Sequence, residues 1–265
     1  MHIKMSEIEK FFPDYLQKGA FHEYMLKEYF HYHMLNVIYN STYAKYLCFL
    51  GGTCLRIIHG FQRFSEDLDF DFFQYTKENH LDLCNIVVAE FQKFGIHVEI
   101  EPIREEKLKR LKAFQSTLNF PQLLQRLNLS GHKEEKFKIK IEAQSHNFQY
   151  EPESKIIQKF DVFTPILKMP DETLLSSKIC AAIQRQKGRD FMDIVNLLAF
   201  VKPDYDYLQE KLNVHNSTAL KKLLLEKTES VHFESKINDC RHLVWDDSEL
   251  NKVKFFRQYI NEIEF

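Results

Sequence analysis

The sequence predicts an α+β chain, in which an N-terminal domain mixes strands with helices and a helical C-terminal domain follows. Three observations lead there. Five short segments before residue 145 alternate polar and apolar residues or form compact apolar runs. Segments with helical periodicity lie between them. After Pro165 the strand patterning ends and helical patterning takes over.

Composition sets the bounds. At 265 residues, the chain has room for one large domain or two modest ones. With 44% hydrophobic and 28% charged residues it reads as a folded chain, and 24 Phe and 12 Tyr can build a sizeable core. Only 7 Gly and 7 Pro exclude collagen-like or low-complexity character. No apolar run approaches the roughly 18 residues of a membrane span, so no membrane partner is expected. The N-terminus lacks the basic start, apolar stretch and cleavage site of a signal peptide. A formal net charge of -2 argues against a wholesale polyanion binder. Cys48, Cys54, Cys84, Cys180 and Cys240 are scattered and form no CxxC pair, which points to a reducing compartment and a cytoplasmic location. His31 and His33, two apart, have a poor helical spacing for shared metal ligation.

In order, residues 21–40 read as a helix with an aromatic face. Residues 46–50 (YLCFL) read as a strand that stops at Gly51-Gly52, and a helix follows from Thr53 to His59. Residues 64–73 (FSEDLDFDFF) alternate and read as a second strand. A helix over 77–94 and extended segments at 96–103, 113–120 and 136–143 complete the N-terminal part. Residues 171–187 form a strong helical segment with acids at its start, Gly188 punctuates it, and a helix resumes from Asp190 to Phe200. Residues 204–265 read as further helices. The expected division is 1–155 and 156–265.

The stretch Arg63-Phe64-Ser65-Glu66-Asp67-Leu68-Asp69-Phe70-Asp71 is the most informative. On a strand, Ser65, Asp67, Asp69 and Asp71 share one face and Leu68, Phe70 and Phe72 the other. Adjacent acids repel, and divalent cations resolve that repulsion. Oxygen ligands suit Mg²⁺, which keeps waters and substrate phosphates in its shell. The bland alternative is a solvent-exposed acidic edge. Ahead of it, Gly51-Gly52-Thr53 joins strand to helix. Glycines admit a close ligand, the helix start offers N–H groups, and Thr53 adds a hydroxyl, so phosphate is the ligand class such a turn suits, while the bland reading of these three residues alone is a plain strand-to-helix turn. Neither a Walker loop nor a Rossmann fingerprint is present.

Taken together, GGTCLRIIHGFQRFSEDLDF resembles the GGT-x-L-R…RFSEDLDF signature of the AbiEii/AbiGii-type nucleotidyltransferase toxins, members of the DNA polymerase β-like nucleotidyltransferase superfamily. The match is nearly continuous over residues 51–70. The resemblance implies a nucleotidyltransferase-type mixed β-sheet domain with flanking helices over 1–155, and a helical domain over 156–265 that contributes Lys, Arg and Asp to the nucleotide cleft. It implies that Asp67 and Asp69 hold Mg²⁺, or Mn²⁺ in its place. Gly51, Gly52, Thr53, Arg63 and Ser65 join the nucleotide-binding set.

The resemblance also implies a third acid on a neighbouring strand. Glu142 fits by parity, with Lys138 and Lys140 on its face. It would complete the metal site or act as a base, against the alternative of a surface Glu pairing a Lys. Residues 173–200 resemble the family's second pattern, with Lys178, Arg185, Arg189, Asp190 and Asp193 at matching positions. Lys178 is expected to be catalytic and to contact the nucleotide. Arg189, Asp190 and Asp193 divide between active-site and scaffold roles. Basic runs (Arg104, Lys107, Lys109, Arg110 and Lys112; Lys133, Lys136, Lys138 and Lys140) could contact an RNA backbone, though most charge runs are solvated faces.

The expected activity is metal-dependent transfer of a nucleoside monophosphate from an NTP to an acceptor hydroxyl, on a tRNA 3′ end or a protein, as the toxin of a toxin–antitoxin or abortive-infection system. A cognate antitoxin is implied by the resemblance alone. The alternatives are a housekeeping or small-molecule-modifying nucleotidyltransferase, and a non-catalytic binding module on the same fold.

Overall fold

Strand alternation builds the sheet on which everything else is placed. The computed structural model describes residues 3–17, 19–101, 113–132 and 135–265. Pro102, Ile103, the basic run from Arg104 to Lys112, and Lys133 lie outside the described residues. The strands are β1 (Leu47–Leu50), β2 (Leu68–Phe72), β3 (Glu99–Glu101), β4 (Ala113–Phe120), β5 (Phe137–Gln144), β6 (Glu153–Lys159) and β7 (Val162–Lys168). Among the described residues they form one mixed seven-stranded sheet in the order β3-β4-β5-β2-β1-β7-β6. β2 pairs β5 in parallel and β1 pairs β7 in parallel; the remaining neighbours are antiparallel.

Two compact units divide the chain: Met1–Ile58, Ser65–Asn147 and Pro152–Lys168 form the first, and His59–Phe64, Phe148–Glu151 and Met169–Phe265 form the second. The 153–168 hairpin, which straddles the expected boundary, therefore belongs with the sheet.

In the first unit, helices α1 (Met5–Glu9), α2 (His22–Tyr39), α3 (Gly51–His59) and α4 (Lys77–Lys93) accompany the sheet. β5 buries Phe137, Ile139, Ile141 and Ala143 and leaves Lys138, Lys140 and Glu142 half-buried between them. The buried side packs into an aromatic cluster. Phe30 of α2 stacks on Phe91 of α4 with centroids 5.0 Å apart and meets Phe120 and Phe137 edge-on at 4.8 and 5.4 Å. Such offset and edge contacts suit the ring quadrupoles. On β2 and β5 the opposite face carries Asp69, Asp71, Lys138, Lys140 and Glu142.

In the second unit, helices Asp171–Arg185 and Gly188–Leu198 are broken apart by Gln186 at φ 49°. Gly188 is required by packing, because a Cβ there would lie 1.9 Å from the Lys236 carbonyl oxygen on the Phe233–Cys240 helix. Phe191 holds this side together, with ring centroids 5.3 Å from Phe233 and 4.8 Å from Phe256. Asp204 caps the Tyr205–Leu212 helix through the Tyr207 amide and accepts from Thr173 at 2.8 Å. No helix among the described residues is long and apolar enough to cross a membrane.

Candidate functional site

β1 ends at Leu50, whose register partner on β2 is Asp69. The chain then turns through Gly51 at φ +83°, a left-handed conformation that glycine adopts without strain. A Cβ on Gly51 would lie 2.3 Å from Asp69 Oδ2. The Asp69 carboxylate thus rests against the Gly51 backbone at the start of α3. The helix begins at Gly51 rather than Thr53 because the glycine itself makes the turn. Gly51→Ala should cost about 1–2 kcal/mol of stability from backbone strain alone and displace the carboxylate. Thermal melting together with a metal-binding assay would check both effects.

The parallel pairing of β2 with β5 runs Leu68↔Ile141, Asp69↔Glu142 and Phe70↔Ala143. Asp69 and Glu142 are therefore register neighbours, and Gln115 of β4 stands next to Glu142. Like charges at neighbouring positions of paired strands repel. A cation shared between them reverses the sign of that interaction.

Asp67 is placed differently. Strand β2 starts at Leu68, so Asp67 lies just ahead of it, and strand parity applies to Asp69 and Asp71 only. The Asp67 backbone carbonyl accepts from the Thr53 hydroxyl, which also shares a 2.9 Å hydrogen bond with Ser65. Its carboxylate takes Lys140 Nζ at 3.2 Å. Next to it, the Glu66 carbonyl accepts from His31 Nε2 at 3.1 Å. Burial pushes His31 down to about 4, so at neutral pH it is an uncharged donor beneath the turn. Asp71 is buried and accepts from the Phe72 and His146 amides at 2.8 and 2.9 Å, which ties the end of β5 to β2.

The donor set suits a hard cation. Among the described residues no three His, Cys, Asp or Glu side chains converge as a ready-made cage. Mg²⁺ does not require one, since it is commonly bound by one or two carboxylates together with waters and substrate phosphates. Asp69 and Glu142, with Asp67 two residues before Asp69, fit that pattern.

Helix α3 is anchored from below. Arg56 Nε donates to Glu28 at 2.8 Å, and Lys159 Nζ reaches the other Glu28 oxygen at 2.7 Å while lying 3.9 Å from the Phe12 ring centre. Burial alone would raise Glu28, but the two cations override it and hold its carboxyl below the usual range.

The second unit has its own ionic centre. Arg63, 1% exposed, grips Asp193 with Nε and Nη2, both at 2.8 Å, and donates from Nη1 to the Phe64 carbonyl at 3.0 Å. Lys178 Nζ meets the same Asp193 carboxylate at 2.8 Å. Burial works to raise Asp193, yet Arg63 and Lys178 prevail and hold it at about 2. Arg185 makes a second bidentate pair, to the buried Asp190, at 2.8 and 2.7 Å. Arg189 is half-buried on the same helix as both acids.

The family model described as "Nucleotidyl transferase AbiEii toxin, Type IV TA system" matches residues 33–247. The chain belongs to this AbiEii family. It is accordingly a nucleotidyltransferase of the toxin class. The AbiEii chain is similar in fold to MenT4, a nucleotidyltransferase toxin from Mycobacterium tuberculosis H37Rv, with a TM-score of 0.60 and 14% identity over 99% of this chain and 91% of that one. It is also similar to JHP933 from Helicobacter pylori, with a TM-score of 0.52 and 17% identity over 91% and 92% of the two chains. No curated protein matches the AbiEii chain in sequence.

Of the residues singled out in this AbiEii sequence, the structure groups Gly51, Thr53, Ser65, Asp67, Asp69 and Glu142 in the first unit. It groups Arg63, Lys178, Arg185, Asp190 and Asp193 in ion pairs of the second. Gly52 follows Gly51 in the first turn of α3. Three participants gave no local signal: His31, the Glu28 partner of Arg56, and Lys140 as the partner of Asp67. Each meets its partner from 28 to 73 residues away in sequence. The β5 lysines expected to face RNA are engaged with acids in the structure, Lys138 with Glu101 and Lys140 with Asp67.

Proposed function

We propose that the chain moves a nucleoside monophosphate from an Mg²⁺-bound NTP to an acceptor hydroxyl and releases pyrophosphate, with Asp67, Asp69 and Glu142 as the metal-holding acids. The supporting observation is the cross-strand register of Asp69 with Glu142, with the Asp69 carboxylate lying against the Gly51 backbone. Bound Mg²⁺ would supply positive charge to the triphosphate and acidify the attacking hydroxyl, and Mn²⁺ would serve in its place. Asp69 and Glu142 supply the oxygen donors. Gly51 and Gly52 leave the helix start open to phosphate. Thr53, Ser65 and His31 hold the turn that carries Asp67. The family resemblance assigns nucleotide duties to Lys178, Arg185, Arg189, Asp190 and Asp193, with the cations offsetting triphosphate charge.

The acceptor is a tRNA 3′ end or a protein hydroxyl, and a cognate antitoxin opposes the activity in the cell. Incubating the protein with each α-labelled NTP and with total cell RNA or protein identifies nucleotide and acceptor from one labelled band. Absence of label in every lane would overturn the proposal in favour of a binding module.

A further inference from the structure

We propose that Lys140 is a stand-in cation at the carboxylate site: it holds Asp67 while no divalent ion is bound and passes to the triphosphate when metal and NTP arrive. This rests on the reading of the site given above.

The inference comes from two neighbouring positions of one strand pair. Asp69 is in register with Glu142, acid beside acid. Just ahead of the first paired position, Leu68↔Ile141, Asp67 meets Lys140, acid beside base, at 3.2 Å. Lys140 and Glu142 are two residues apart on β5, hence on one face and about 6.6 Å apart along the strand. One position pairs an acid with a base, and the other brings two acids side by side.

The lysine is built to leave. Its side chain is 45% exposed and that of Asp67 29%, whereas Lys178 and Lys168 are 7% and 0% exposed in their own ion pairs. Ion pairs this exposed contribute little, so breaking one is cheap. A divalent ion attracts a carboxylate about twice as strongly as an ammonium at equal distance, and so displaces it. The released ammonium, on a flexible four-carbon stem, stays tethered beside the same carboxylates. Loading the site brings a triphosphate there, and an ammonium is a suitable donor to phosphate oxygens. Lys138, the neighbouring lysine on this face, is engaged by Glu101.

The test is an Mn²⁺ titration of the nucleotide-free protein, followed by electron paramagnetic resonance. Lys140→Met should tighten Mn²⁺ by about two- to fivefold, because Asp67 no longer has to be vacated. At saturating metal the same variant should raise KM for NTP by about tenfold, with a smaller change in kcat. Lys140→Arg keeps the charge and grips a carboxylate more firmly, so Mn²⁺ should weaken. Unchanged or weaker Mn²⁺ binding in Lys140→Met would overturn the inference, as would an unchanged KM. Asp69→Asn, titrated alongside, separates the two failures. If Asp69→Asn still binds Mn²⁺ as the wild type does, the site reading itself fails. If it loses Mn²⁺ while Lys140→Met stays unchanged, only the role of Lys140 fails.

Discussion

Asp69→Asn should lower nucleotidyl transfer by about a thousandfold or more, and the growth arrest expected of the wild-type chain expressed alone should be relieved. On the proposed reading a bound cation offsets charge on the reacting phosphates, and losing such stabilisation costs on this order. Glu142→Gln should act in the same direction. The two changes should not add, because on the proposed reading both remove one shared ion. Labelling assays with thermal melting read all of this. Loss of label accompanied by a large drop in melting temperature would mean that the variant had simply unfolded.

The second large effect concerns stability. Asp193→Ala should destabilise the second unit by about 3–5 kcal/mol, because it leaves Arg63 and Lys178 buried without their shared counter-charge. Denaturant unfolding measures this directly. The pH dependence has a definite sign. The Asp193 carboxyl sits at about 2 in the folded chain, below its ordinary value of 3.8. Its contribution is therefore complete above about pH 4 and is lost as pH falls through about 2. Wild-type stability should drop over that window, and Asp193→Ala should flatten the part of the slope this residue supplies.

Much of this was legible in the sequence because strands announce themselves when one face is buried. β4 and β5 alternate cleanly and were predicted within a residue of their observed limits. The Gly-Gly turn closes β1 and the acids lie on β2, the next strand, so their juxtaposition needed only the antiparallel pairing of β1 with β2. The β6–β7 hairpin was missed for physical reasons. β6 is an edge strand, largely exposed, and so carries no alternation. Pro165 reads as a breaker, yet β1 pairs β7 only at Phe49↔Lys168, so the absent N–H of Pro165 faces no partner on that side. The expected strand over 64–73 shrank to Leu68–Phe72 because Phe64 donates its amide to Leu243 and Thr53 holds the Asp67 carbonyl, which takes this stretch out of the sheet. The bond between Arg63 and Asp193 spans 130 residues, a pairing that no local pattern encodes.

The most direct measurement is an anomalous difference map from crystals grown with Mn²⁺ and a non-hydrolysable NTP analogue. A peak within about 2.2 Å of carboxylate oxygens from both Asp69 and Glu142, beside Gly51, is the predicted result. A peak elsewhere, or none at those two side chains with the nucleotide bound, would contradict it.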